Sequence, residues 1–311
     1  MESSTKNLDN DKLSYKLIDD KSPYPRAIDY IIFLDSDDYW HKDCLKNCVE
    51  NMFESSADVL CFDYFIVFEG ESFNIGTWNE AYGYTKNCTI SAKQFLEKSI
   101  EKNILSFSFA WRGMIDFSYL KSLQLLFPNG IIYEDIFFGS ALFMSAKKIY
   151  VDTTKLYFYR VRSNSITGFY NKSTISPYLY PLYKQFNDET KCRQYIISIS
   201  HCVTLLNLID FISTKSSDKD INKLVLEAFF PNAIKQFTQI ISHKTDPLKF
   251  RQKLPLLLKY KKYFNRLTMR EKIAISYPRF YKIVAILHRI YKAQKNIERK
   301  IRKKLRGKQL V

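Results

Sequence analysis

The chain has 311 residues, 48 Lys+Arg against 32 Asp+Glu, and a 46% hydrophobic fraction with 16% aromatics. That apolar content supports real cores and excludes a wholly disordered chain, and with only 8 Gly and 9 Pro the chain is neither collagen-like nor linker-dominated. The formal charge of +16 is uneven: residues 244–311 hold 22 basic and 3 acidic residues while residues 1–243 hold 26 and 29, so a slightly acidic body precedes a strongly basic C-terminal fifth.

Residues 1–28 form a polar N-terminal segment without a signal-peptide apolar core, and no stretch of 18 consecutive apolar residues predicts a spanning helix. Together these predict a cytoplasmic chain. Tyr30–Leu34 (YIIFL) is a short apolar run ended by acids, the form of a buried strand. His41–Glu54 repeats apolar residues at helical spacing through Leu45, Cys48, Val49, Met52 and Phe53. Ala57–Phe68 is β-branched and aromatic and reads as a strand. Ser91 can cap a helix over Ala92–Glu101, and a short helix follows at Asp116–Leu123. Pro128-Asn129-Gly130 marks a turn, leading through Glu134-Asp135 into an apolar helix to about Ala146. Lys148–Val151 and Leu156–Val161 read as two short strands. This alternation over residues 29–170 predicts an α/β sheet domain.

Beyond Gly168 the pattern turns helical, giving a helical, basic region over 171–311. Lys191–Ser213 carries Tyr195, Ile199, Cys202, Val203, Leu206 and Ile209 on one face. Asp220–Ser242 and Pro247–Phe264 also read as helices, which Pro231 and Pro255 should kink or break. Arg279–Lys292 sets Phe280, Ile283, Val284, Leu287 and Ile290 on one side, and Lys295–Lys308 continues as a basic helix. The six cysteines form no CxxC and the four histidines no metal-ligand pattern, which predicts free thiols in a reducing compartment.

Asp35-Ser36-Asp37-Asp38 follows the first strand directly. At ~5 Å and an effective dielectric near 20, each like-charged pair is repelled by roughly 3 kcal/mol, which water relieves in part and a divalent cation relieves better. Open α/β sheets bind ligands beyond the carboxyl ends of their strands, so these oxygens suit Mg²⁺ or Mn²⁺ carrying a diphosphate. The other explanation is a helix cap, with Asp37 or Asp38 opening the helix that follows.

YIIFLDSDDYW resembles the metal-binding segment of family 2 GT-A glycosyltransferases, of the bacterial lipopolysaccharide, lipooligosaccharide or capsule type. Phe127-Pro128-Asn129-Gly130-Ile131-Ile132-Tyr133-Glu134-Asp135-Ile136-Phe137-Phe138 resembles the family's F-P-x-G-x-x-Y-E-D-x-x-F segment, and Leu156–Thr167 its closing Y-x-Y-R-x-R-x-x-S-I-T segment. The resemblance implies a partial GT-A, Rossmann-like domain. It makes Asp35 and Asp37 the ends of the DxD that holds the metal and the nucleotide-sugar diphosphate, with Asp38 an added acid. It makes Asp135 the general base, with Glu134 either tuning it, orienting the acceptor, or acting as a helix-start acid. It sets Tyr39-Trp40 at the aromatic positions after the DxD, for packing or for facing the sugar, and Trp111 where a tryptophan usually precedes the base, with Trp40 and Trp111 the candidate acceptor contacts; Arg112-Gly113 depart from the family's Asn-Lys.

Arg160 and Arg162 alternate on a strand, either to hold phosphate oxygens or to pair with acids; Ser163, Ser165 and Thr167 lie in a loop suited to closing over the donor. The implied reaction is an inverting hexose transfer to a glycan or lipid-linked acceptor. The family's first strand, V-S-I-I-x-P-x-Y-N, has no counterpart among the 34 residues before Asp35, and Asp19-Asp20-Lys21-Ser22 lacks the glycine of its D-D-G-S segment. A sheet without its nucleotide-binding strands is therefore expected, and weak nucleotide-sugar binding by this chain alone. The alternative is a silent, membrane-adsorbed interaction module. The basic residues of 244–311, with Phe280, Tyr281 and Tyr291, suit an anionic membrane surface; no nucleic-acid recognition motif is present, so a peripheral membrane location and no nucleic-acid partner are expected.

Overall fold

The computed structural model describes residues 28–69, 76–162, 180–186, 188–260 and 267–281, with single positions out to 298. The Asp19–Ser22 segment, the loop of Ser163, Ser165 and Thr167, and most of 295–308 lie outside the described residues.

In chain order the sheet region comprises β1 (Tyr30–Ile32), β2 (Tyr39–Trp40), α1 (Cys44–Ser55), β3 (Val59–Phe68), α2 (Trp78–Tyr82), β4 (Cys88–Ile90), α3 (Ala92–Glu101), β5 (Gly113–Asp116), α4 (Phe117–Leu123), α5 (Glu134–Ser145) and β6 (Ile149–Val161). The strands form one mixed, curled sheet in the order β1-β5-β3-β6-β2, with β4 also on β6. The spine is the parallel β3/β6 pair, whose register shifts on either side of Asp63. β6 is one continuous strand where the sequence predicts two. The polar stretch that interrupts its apolar pattern, Asp152–Thr154, falls at the register shift and is held by side chains: buried Asp152 accepts from the Thr154 N–H at 2.8 Å and from Asn51 at 3.3 Å, and the Thr153 N–H donates to Asn87 at 2.9 Å. β1 lies at a sheet edge and pairs with β5 alone among the described residues.

Ser91 caps α3 in a reciprocal box with Gln94, as its sequence position predicts. α1 is helical as expected but seats a different face. Cys44, Cys48 and Met52 enter the cluster with Leu60, Phe62 and Tyr157, whereas Leu45, Val49 and Phe53 stand exposed. All six cysteines are free thiols, five of them buried.

The described residues from 180 onward hold only helices: α6 (Tyr180–Phe186), α7 (Glu189–Lys215), α8 (Lys219–Ser242), a 3₁₀ turn (Phe250–Lys253), α9 (Leu254–Leu258) and α10 (Met269–Ser276). Of the kink or break expected at Pro231, α8 shows no break; Pro231 is buried beside Phe230 and Ala233, and this packing offsets the roughly 3 kcal/mol a mid-helix proline costs. Pro255 falls in the first turn of α9, where its missing N–H is harmless. α7 is long and apolar enough by composition to cross a membrane, yet half of that stretch is buried inside the protein as it packs between α5 and α8. The sheet and the helices share one core: Leu208, Phe211, Val225 and Phe229 join Phe95, Phe137 and Phe143.

Candidate active site

β1 delivers the chain to a tight turn at Asp35–Asp38, closed by the Asp38 N–H donating to the Asp35 carbonyl at 3.1 Å. The turn runs into β2, whose pairing sets Tyr39 opposite Phe158 and Trp40 opposite Tyr157. That register puts the Tyr157 hydroxyl under the turn. It donates to Asp38 Oδ2 at 2.8 Å and accepts from the Asp35 N–H at 3.3 Å. The Arg160 N–H donates to Asp38 Oδ1 at 2.8 Å. Asp38 is thus a structural tie, and its carboxyl is raised by burial against the lowering pull of these two donors. The helix-cap alternative is not realised: α1 starts at Cys44 with Asp43 at its N-cap.

Arg162 pairs with the Asp37 carboxylate, and Arg160 pairs with Glu69 while donating to the Asp37 carbonyl at 3.2 Å. Both arginines therefore reach the turn, and of the two roles left open by the sequence each shows the acid-paired one. Asp35 is exposed and its carboxylate has no hydrogen-bond or ion-pair partner among the described residues. Its carboxyl is raised, first by desolvation, then by Asp38, Asp37 and Glu134. Among the described residues no group of three or more His, Cys, Asp or Glu is arranged to hold a metal. The donor set still fits Mg²⁺ or Mn²⁺, which take one or two carboxylates and complete the shell with substrate phosphates. Asp35 offers the free carboxylate, and Asp37 offers one once Arg162 leaves it.

Asp135 sits in the first turn of α5, after Tyr133, which adopts a left-handed conformation at φ 61°. The loop before β5 is stitched to this turn: the Phe109 N–H donates to the Asp135 carbonyl at 3.2 Å. Gly139 allows this approach, since a Cβ there would fall 2.6 Å from the Phe109 nitrogen. The Asp135 carboxyl is half-buried and pushed up to about 6, chiefly by burial and then by Glu134, against the opposing charge of Arg112. Asp35 also raises it, which marks the two carboxylates as electrostatic neighbours. Arg112 is buried, with its guanidinium over Trp78, Phe107 and Trp111 at 5.3, 5.4 and 5.8 Å, and it donates to the Ser108 carbonyl.

Trp111 is half-buried and stacks on Tyr157 and Tyr159, with ring centroids at 4.6 and 5.2 Å. Trp40 packs into the cluster beneath α1, and its buried Nε1 has no partner.

α7 supports the loop before Asp135. Ser200 Oγ accepts from the Ile132 N–H at 3.1 Å, and Tyr133 stacks on His201 at 5.7 Å. Beside His201 a cavity of about 20 Å³, lined by Ser140, Thr204 and Asn232 among others, has room for a single water. Tyr157, Arg112, Ser200 and His201 received no role from the sequence. For Tyr157 a signal existed, its place in the Y-x-Y-R string; Ser200 and His201 act through contacts across large sequence separations, and Arg112 through its contact with Trp78.

Residues 28–122 match the model of glycosyl transferase family 2; the match ends before the Glu134-Asp135 segment. No curated protein sequence matches the chain significantly. Among solved structures, the chain is similar to S. aureus TarS 1–349 in complex with UDP-GlcNAc, at 15% identity and TM-score 0.50, over 84% of this chain and 66% of that one. It is also similar to S. aureus TarS 1–349 in complex with UDP, at 15% identity and TM-score 0.47, over 83% and 64%. The chain thus spans just under two thirds of the TarS chains it resembles. The fold is a partial GT-A sheet domain followed by a helical region, and residues 28–122 of that sheet domain carry the family 2 glycosyl transferase match.

Proposed function

We propose that the chain transfers a hexose from a nucleotide-diphosphate sugar to a hydroxyl of a glycan or lipid-linked acceptor, with inversion, in the synthesis of a cell-surface polysaccharide. The observation that carries this is Asp135, a carboxylate at a helix N-terminus held near 6 and coupled to the Asp35 turn, in a GT-A-like fold. A base with that proton affinity is ionised at neutral pH and still basic enough to take the acceptor proton as the hydroxyl attacks. Glu134, beside it, orients the acceptor, and Trp111, with Trp40 nearer the turn, supplies flat apolar surface for sugar rings. Arg160 and Arg162 exchange Glu69 and Asp37 for the phosphate oxygens of the donor. A divalent cation on Asp35 and Asp37, when bound, neutralises charge developing on the departing diphosphate. UDP-GlcNAc is the first donor to try, because a similar TarS structure holds it.

The test is nucleoside diphosphate release from a panel of sugar donors at high concentration, with Mn²⁺ and lipid-linked glycan acceptors. Asp135→Asn is expected to lower turnover by about 10²–10⁴. Equal turnover in the two proteins eliminates Asp135 as base.

A further inference from the structure

We infer that the exposed residues Phe280, Ile283, Leu287 and Tyr291 form a docking surface for an anionic lipid bilayer, as the stripe that inserts. This inference stands apart from the transferase reading. α10 anchors the segment to the body through buried Ala274 and Ile275, and Tyr281 adds a third anchor at 2% exposure. The stripe itself turns outward. Phe280, Ile283, Leu287 and Tyr291 are 58, 58, 60 and 51% exposed. Their spacing of three or four residues keeps them on one side of a helix, and all four positions are helical. The sequence predicts an apolar face here that seeks cover, and the protein leaves it in water.

The charge around the stripe selects what covers it. Residues 278–311 contain twelve Lys+Arg and one acid, Glu298, a formal +11. Nucleic acid would satisfy the charge and leave Ile283 and Leu287 wet. A second copy would satisfy the stripe and set two such charges against each other. A bilayer with anionic headgroups meets both demands, since its interface takes apolar side chains while its surface attracts Lys and Arg.

The test is co-sedimentation of the full chain with large unilamellar vesicles of phosphatidylcholine containing about one third phosphatidylglycerol. Binding is expected, at least about tenfold weaker to pure phosphatidylcholine and weakened by raised salt. The double substitution Phe280→Ser and Leu287→Ser is expected to weaken it about tenfold or more while circular dichroism and Tm stay unchanged, because both side chains stand in solvent. Unaltered vesicle binding by this variant overturns the proposal. So does tighter binding to duplex DNA than to vesicles, or a wild-type dimer in sedimentation velocity that the double substitution dissolves.

Discussion

Asp135 answers to two opposing demands, proton affinity for chemistry and ionisation that the fold resists. Its folded-state value of about 6 lies above the ordinary 3.8, so the folded state holds the proton more tightly than the unfolded chain. The associated stability is complete at low pH and is lost as pH rises through 6. Asp135→Asn is therefore expected to be more stable than wild type at pH 8, by about 1–2 kcal/mol after allowance for partial exposure, with the gap closing toward pH 4; thermal melts across pH read this directly. With Asp135 as the proposed base, an acid limb near pH 6 is expected in the kcat/KM profile of the wild type, absent from the residual activity of the variant. Tyr157 has the opposite character, a structural hydroxyl at the site. Tyr157→Phe removes the donor to Asp38 and the acceptor for the Asp35 N–H, and is expected to cost about 1–2 kcal/mol in denaturant unfolding and to raise donor KM about tenfold. The places of Asp135 at the start of a helix and of Asp37 just past the first strand are legible in the sequence because both segments are local. Arg112 is not, because its cage closes only once Trp78 of α2 packs against the loop that carries Phe107, Trp111 and Arg112 itself.

α7 works on the site at a distance, through the loop it holds. Ser200→Ala leaves the buried Ile132 N–H unpaired, an expected loss of about 1–3 kcal/mol, and lets Tyr133 move the start of α5. In steady-state kinetics kcat is expected to fall more than donor KM rises. His201 adds a pH signature of its own. Burial lowers it from 6.5 to about 4, so the unfolded chain binds more protons between those values and stability drops as pH falls through that window. His201→Gln is expected to flatten this part of the stability profile. Elements of this kind vary in how openly the sequence shows them. β1 and β3 announce themselves as apolar runs, while β2, β4 and β5, of two to four residues, are too short for any periodicity and exist through their partners. α2 and α10 are not among the elements expected from the sequence, although Thr77 with Glu80 and Thr268 with Glu271 form T-x-x-E boxes that open both helices. At Pro231 the helix runs on, since tertiary burial offsets the local tendency to break.

At the scale of the molecule, the sheet and the helices are cooperative partners. Phe229 of α8 and Phe211 of α7 complete the aromatic core that also contains Phe95, Phe107 and Phe143. A single calorimetric transition is expected, and Phe229→Ala is expected to lower the stability of the whole by about 3–5 kcal/mol, melting sheet and helices together. Two separated transitions in the variant would show that the core is not shared. The molecule also separates its charges. The acidic turn at Asp35–Asp38 and the basic segment beyond Tyr277 belong to different elements, so the global +16 describes neither.

The chain carries three tryptophans, and their placement makes it a self-reporting optical sensor. Trp40 and Trp111 both contact the Tyr157 cluster under the acidic turn, while Trp78 lies buried against Tyr82 and Phe107. Under the proposed function, a donor arriving at the turn is expected to change the surroundings of the first two indoles and leave the third as an internal reference, which titration of intrinsic emission with UDP-GlcNAc would check.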